Sequence, residues 1–86
     1  MYYLYIIESI ECGRWYIGIS ENPERRLREH NSGKTRSTKP YQPYRLVYSE
    51  EYKTKTEARK RELQIKKSGI IRKQLRGRIS NYGSIV

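Results

Sequence analysis

The sequence predicts a mixed α/β fold of the α+β kind, with three short strands and three helices in a single domain spanning residues 1–86. Three observations point there. Two β-branched and aromatic runs, Tyr2–Glu8 and Trp15–Ile19, flank a short segment whose turn residue is Gly13, the pattern of a β-hairpin. Helix-start signals stand at Asn22-Pro23-Glu24 and at Thr54–Glu57. The length of 86 residues is about half the ~150 expected per domain, so there is room for one small core. Nine Tyr, one Trp and no Phe supply its rings, and rings with polar ends suit half-wet faces better than a sealed interior.

Taken in order, an antiparallel hairpin places Leu4 and Ile6 on one face with Trp15, Ile17 and Ile19, and leaves Tyr3, Tyr5, Tyr16 and Gly18 on the other. Glycine inside a strand often marks a close approach by another group, so Gly18 distinguishes that second face from a plain solvated surface. The first helix starts on Asn22 and Pro23 and runs to His30, with Asn31-Ser32-Gly33 as its stop. Leu27 is its only large apolar residue. Arg26 and His30 are four apart and hence neighbours, whereas Arg25, Arg28 and Glu29 are expected to point elsewhere.

Residues 34–43 mix basic, hydroxyl and proline residues, as in an exposed loop able to touch phosphates. Tyr44–Ser49 reads as the third strand. A capping box at Thr54–Glu57 opens a helix that should end at Ser68-Gly69, Ile70–Arg76 forms a further short helix, and the last ten residues are expected to fray. In the second helix, at ~100° per residue, Ala58 and Ile65 define the inward stripe and Glu62 falls only ~40° from Ala58. A carboxylate therefore sits on the buried face. Two readings fit: a structural ion pair with a nearby arginine, or a lone metal-binding or catalytic carboxylate.

Composition narrows the chemistry. One cysteine, Cys12, and one histidine, His30, leave almost no material for zinc sites, disulfides or Cys-His nucleophile pairs. All nine acids are glutamates, which excludes Asp-rich calcium loops and speaks against multi-aspartate two-metal sites. The net charge is +10 and unevenly spread: residues 53–86 hold eleven bases against Glu57 and Glu62, whereas residues 1–24 hold Arg14 against four glutamates. A polyanion is the natural partner. Nucleic acid is favoured over a membrane because the basic segment lacks a broad apolar face with bulky anchors. No run approaches ~18 apolar residues, and the N-terminus has no basic-then-apolar leader, so a cytoplasmic, nucleoid-associated protein is expected.

The order of these features resembles the GIY-YIG nuclease superfamily over nearly the whole chain. The second signature is Tyr16-Ile17-Gly18; the first stands as Tyr3-Leu4-Tyr5, keeping the final tyrosine of the usual Gly-Ile-Tyr. Arg26 and His30 follow in the spacing Arg-x-x-x-His, then Asn31-Ser32-Gly33, and finally Glu62. The short single-domain form resembles the stand-alone bacterial branch, which lacks the accessory DNA-binding domain of larger relatives. The resemblance implies a small three-stranded antiparallel sheet flanked by helices, and hydrolysis of a DNA phosphodiester with one Mg²⁺ or Mn²⁺ ion. It further implies that Glu62 holds the metal, that Arg26 offsets charge on the scissile phosphate, that Tyr5 and Tyr16 orient the attacking water, and that His30 is a second proton carrier. With an unperturbed pKa near ~10, Tyr5 would need the metal or Arg26 nearby to favour a phenolate. Lys34, Arg36 and Lys39 in the loop, and Lys66, Lys67, Arg72 and Lys73 in the tail, would grip the DNA backbone without reading sequence. A non-catalytic nucleic-acid-binding module, or a subunit whose target is supplied by a protein partner, is the alternative on the same fold.

Overall fold

The computed structural model describes residues 1–84, with side chains as far as Ile79. Strands β1 (Tyr2–Ser9), β2 (Trp15–Ser20) and β3 (Tyr44–Tyr52) form one antiparallel sheet in the order β2-β1-β3, with β1 in the middle. Gly13, at φ +74°, turns the β1–β2 hairpin. Helix α1 (Pro23–Asn31) follows β2, and helices α2 (Lys55–Lys67) and α3 (Gly69–Ser84) follow β3. A single 3-10 turn at Lys39–Tyr41 punctuates the loop between α1 and β3.

The period-2 pattern of β1 sorts the molecule into layers. Leu4 pairs with Ile19 and Ile6 with Ile17, and this face packs against Ile65 of α2 and Leu75 of α3. The opposite face carries Tyr5, Ile7 and Tyr44, covered by Leu27 of α1 and Tyr41 of the loop. An irregularity in the β1–β3 register between Ile6 and Ile7 turns both Val47 and Tyr48 toward the α2–α3 layer while Leu46 stays with α1.

Caps fix where the helices begin. The Asn22 side chain accepts from the Arg25 backbone N–H at 3.1 Å, and Thr54 Oγ1 accepts from that of Glu57 at 3.2 Å. Asn31, expected as a stop, is instead the last residue of α1 and clamps it to β3: its amide donates to the Tyr44 carbonyl at 3.0 Å and its oxygen accepts from the Tyr44 N–H at 2.6 Å. Strand β3 runs to Tyr52, three residues beyond the expected Ser49. It is extended by Glu50, whose carboxylate accepts from Tyr48, Tyr52 and the Arg61 guanidinium.

Helix α3 also continues past the expected end at Arg76. Leu75 is in the core, and the Arg76 guanidinium lies 4.1 Å over the Trp15 ring, so the helix is docked where a short one would have ended. The expected frayed tail is helical backbone to Ser84, and residues 85–86 lie outside the described residues. Among the described residues no helix is long and apolar enough to cross a membrane.

Candidate active site

Tyr5 stands on the central strand, opposite Gly18 of β2, and its ring lies across that glycine. A Cβ at Gly18 would be 2.8 Å from the Tyr5 hydroxyl oxygen and 2.9 Å from Cζ, a distance no side chain tolerates. The close approach anticipated at Gly18 is therefore made by a tyrosine. With this space open, the Tyr5 hydroxyl reaches His30 Nε2 at 3.1 Å. His30 is fully buried at the end of α1, held there by the Asn31 clamp next to it. Its other ring nitrogen, Nδ1, is 2.8 Å from Thr38 Oγ1. The Tyr16 ring is tilted against the imidazole, with centroids 4.7 Å apart, and Tyr44 closes the far side at 6.2 Å.

Arg26 comes one turn earlier on α1. Its Nη1 donates to Glu29 at 2.6 Å, while Arg25 approaches the same carboxylate at 3.7 Å. Glu29 was expected to point away from Arg26; the three-residue spacing instead makes it the group that steers the guanidinium. Arg26 also lies near the Tyr5 hydroxyl, and its positive charge favours the phenolate. Burial outweighs it, with smaller contributions from Tyr16 and Glu62, and the Tyr5 pKa is raised. Tyr5 is a protonated phenol at neutral pH. The His30 pKa is lowered, first by burial and then by the Arg26 charge, so the imidazole is neutral.

Glu62 comes from the other layer. As the angular spacing predicts, it is buried with Ala58 and Ile65 on the inner face of α2, at 7% exposure. Its carboxylate takes Lys66 Nζ at 2.9 Å and Arg59 Nε at 3.8 Å rather than Arg26. Helix α2 packs on the Leu4–Ile6–Ile17 face of the sheet, whereas Tyr5, Tyr16 and α1 lie on the other. Among the described residues Glu62 therefore makes no hydrogen bond or ion pair with Tyr5, His30 or Arg26, and its charge makes only a minor contribution to the raised Tyr5 pKa. Among the described residues no three His, Cys, Asp or Glu side chains cluster. A magnesium-type ion that keeps several waters and is held by one carboxylate plus substrate phosphate oxygens fits this donor set.

The basic residues fall into two groups. Lys34, Arg36 and Lys39 are exposed on the loop after α1, on the layer that carries Tyr5 and Arg26. On the other layer, Lys67 is exposed at the end of α2, and Lys73 lines an open cleft of about 550 Å³ with Arg61 and Arg78. Lys66 and Arg72 are partly committed to the protein: Lys66 pairs with Glu62, and Arg72 Nη1 donates to the carbonyls of Ile65, at 2.9 Å, and Lys66, capping α2. Sequence reasoning missed Thr38 and Glu29. The i, i+3 spacing from Arg26 could have shown Glu29; nothing local distinguishes Thr38 from its loop neighbours.

Residues 1–70 match the GIY-YIG catalytic domain. A UPF0213 protein of Staphylococcus saprophyticus is 41% identical over 66 residues, covering 76% of this chain and 79% of its own length. UPF0213 proteins of Staphylococcus aureus are 39% identical over the same extent. Among solved structures, the solution NMR structure of a UPF0213 protein from Bacillus halodurans is 35% identical, with a TM-score of 0.54, and covers 90% of this chain and 84% of that one.

Proposed function

This chain belongs to the GIY-YIG family, among its short stand-alone UPF0213 members, and from that premise we propose that it is a divalent-metal-dependent DNA endonuclease with weak sequence selectivity. The observation that carries the reading is the buried 3.1 Å bond between Tyr5 and His30, one turn along α1 from the Arg26 guanidinium, and the buried carboxylate Glu62 on the inner face of α2 is the acid the family places at this site.

Each group then has a task. The half-buried Tyr16 orients the attacking water. Tyr5, kept protonated by burial, is no resident phenolate; it accepts a proton from the water as its own moves to His30 Nε2. Arg26, aimed by Glu29, stabilises the charge that gathers on the phosphate as it becomes five-coordinate. Glu62 would hold Mg²⁺ or Mn²⁺, which when bound supplies Lewis-acid charge at the phosphodiester. The basic loop and the Lys67–Lys73 region hold the DNA backbone, and the target, flapped, branched or otherwise repair-related, is set by DNA shape or a protein partner.

The test is cleavage of flapped, branched and duplex DNA by the purified protein, with and without Mg²⁺ or Mn²⁺. Metal-dependent scission that disappears in Tyr16→Phe supports the reading. Tight DNA binding with no scission of any substrate would instead support the binding-module alternative, in which the Glu62–Lys66 pair is purely structural.

A further inference from the structure

We infer that Thr38 is a positioning residue that fixes the tautomer of His30, and through it the direction in which the Tyr5 proton can move. The inference rests on the nuclease reading for its catalytic consequence, whereas the tautomer itself follows from counting donors and acceptors in a closed network.

Three buried groups share two contacts. Tyr5 is 1% exposed, His30 0% and Thr38 2%, so none can settle its protons on bulk water. The Tyr5 hydroxyl meets His30 Nε2, His30 Nδ1 meets Thr38 Oγ1, and Thr38 Oγ1 also lies 3.2 Å from the Thr35 carbonyl, which can only accept. A neutral imidazole carries one proton. If it sat on Nε2, that nitrogen would donate to Tyr5, and the Tyr5 proton would have to go elsewhere. Among the described residues the Tyr5 hydroxyl makes no hydrogen bond other than the one to Nε2, and the Arg26 guanidinium near it has donors only. A buried hydroxyl proton would then be unmatched, a costly arrangement.

With the proton on Nδ1 every donor has an acceptor. Nδ1–H donates to Thr38 Oγ1, Thr38 O–H donates to the Thr35 carbonyl, and Tyr5 O–H donates to the free lone pair of Nε2. Thr38 is thus an acceptor toward His30 because its own proton is committed to the loop backbone. The loop turn is closed at that point by backbone hydrogen bonds, the Thr35 carbonyl also accepting the N–H groups of Thr38 and Lys39. The hydroxyl therefore keeps the basic nitrogen facing Tyr5, which is what a proton acceptor in this position needs.

His30 is the chain's only histidine, so its imidazole can be read without assignment ambiguity. Long-range ¹H–¹⁵N correlation spectra of the imidazole, recorded at neutral pH without DNA or metal, report which nitrogen carries the proton. The wild type should show the Nδ1–H form. Thr38→Ser should keep it, because the hydroxyl is retained, and Thr38→Val, nearly isosteric but without acceptor or donor, should lose it for a mixture or for Nε2–H. In a cleavage assay Thr38→Val should lower kcat roughly 10–100-fold, the usual effect of removing the group that orients an imidazole, with KM unchanged and activity restored in Thr38→Ser. A wild-type Nε2–H spectrum overturns the inference even if Thr38→Val does not fold, and so does an unchanged Nδ1–H spectrum in folded Thr38→Val. If the wild type shows Nδ1–H and the variant loses it while neither protein cuts DNA, the tautomer assignment stands and the nuclease reading falls.

Discussion

The Tyr5 ring lies across the bare backbone of Gly18, so that the hydroxyl oxygen is 2.8 Å from where a Cβ would stand. Two signature residues on neighbouring strands thereby form one device: the glycine is the space through which the tyrosine reaches His30. Gly18→Ala must push the ring, and Tyr5, at 1% exposure, has nowhere to go. Overpacking of this kind costs about 1–3 kcal/mol. The expected outcome is a lower denaturation midpoint together with loss of the Tyr5–His30 bond and of cleavage. An alanine variant with wild-type stability and activity would show that the close approach has no role.

The pH dependence of stability has two windows. The folded pKa of His30 is depressed by burial and then by Arg26, so the unfolded chain takes up a proton at pH values where the native imidazole does not. His30's contribution is full above its unfolded pKa of ~6.5 and is lost as pH falls through the lower folded value. The Glu50 pKa is also lowered: burial works against it, but Arg61, Tyr48 and Tyr52 outweigh burial, so its contribution is present above ~4.3 and is lost as pH falls through its folded value. Urea midpoints measured from pH ~7.5 downward should show both losses. His30→Asn should erase the upper one and leave the lower. A wild-type midpoint that stays flat through the upper window would contradict the neutral, buried imidazole.

Nucleic-acid affinity should depend on the free cations more than on the committed ones. Neutralising Lys34, Arg36, Lys67 and Lys73 to glutamine should weaken binding to all DNA sequences alike and flatten the salt dependence by up to about 3–4 in log–log slope. Arg72→Gln should behave differently, because its guanidinium caps the C-terminus of α2 through the carbonyls of Ile65 and Lys66. Its main effect should be a loss of about 1 kcal/mol of stability. Fluorescence anisotropy over a salt series, with thermal melts alongside, separates the two. Sequence-selective loss of binding in the quadruple variant would argue against a backbone grip.

The hairpin, its two faces and the buried Glu62 were legible in the sequence because each rests on a short-range period: two residues in a strand, 3.6 in a helix. Tyr5 and Gly18 could be placed on one face from the strand pattern alone; that they stand directly opposite each other is set by the register of the folded hairpin. The docking of α3 was not legible, since Arg76 is held by a cation–π contact with Trp15, sixty-one residues earlier in the chain. Thr38 was hidden for the same reason: its hydroxyl acquires meaning only once the loop folds it onto His30. Nor could spacing show that burial would override Arg26 and keep Tyr5 protonated, because that balance depends on how much protein surrounds the phenol.

Catalysis and binding separate most cleanly at Arg26 and Glu62. Arg26 is assigned to charge that exists only in the transition state, so Arg26→Ala should still bind DNA while its cleavage rate falls roughly 10²–10³-fold, the ~2.7–4 kcal/mol typical of one deleted charge donor. Glu62→Gln keeps the side-chain volume but removes the anionic metal ligand; cleavage should vanish, and excess Mg²⁺ should rescue it poorly. The stability of that variant carries a second message. The partners that would lose their carboxylate, Lys66 and Arg59, are 47% and 62% exposed in their side chains, so water can take its place. Such solvent-exposed pairing contributes only about 0–1 kcal/mol, while the carboxylate itself is desolvated on the inner face of α2. Thermal melts should therefore place Glu62→Gln at or above the wild-type midpoint. A glutamine variant that unfolds would identify Glu62 as a structural ion-pair member, and one that cuts DNA at the normal rate would end the nuclease mechanism proposed above.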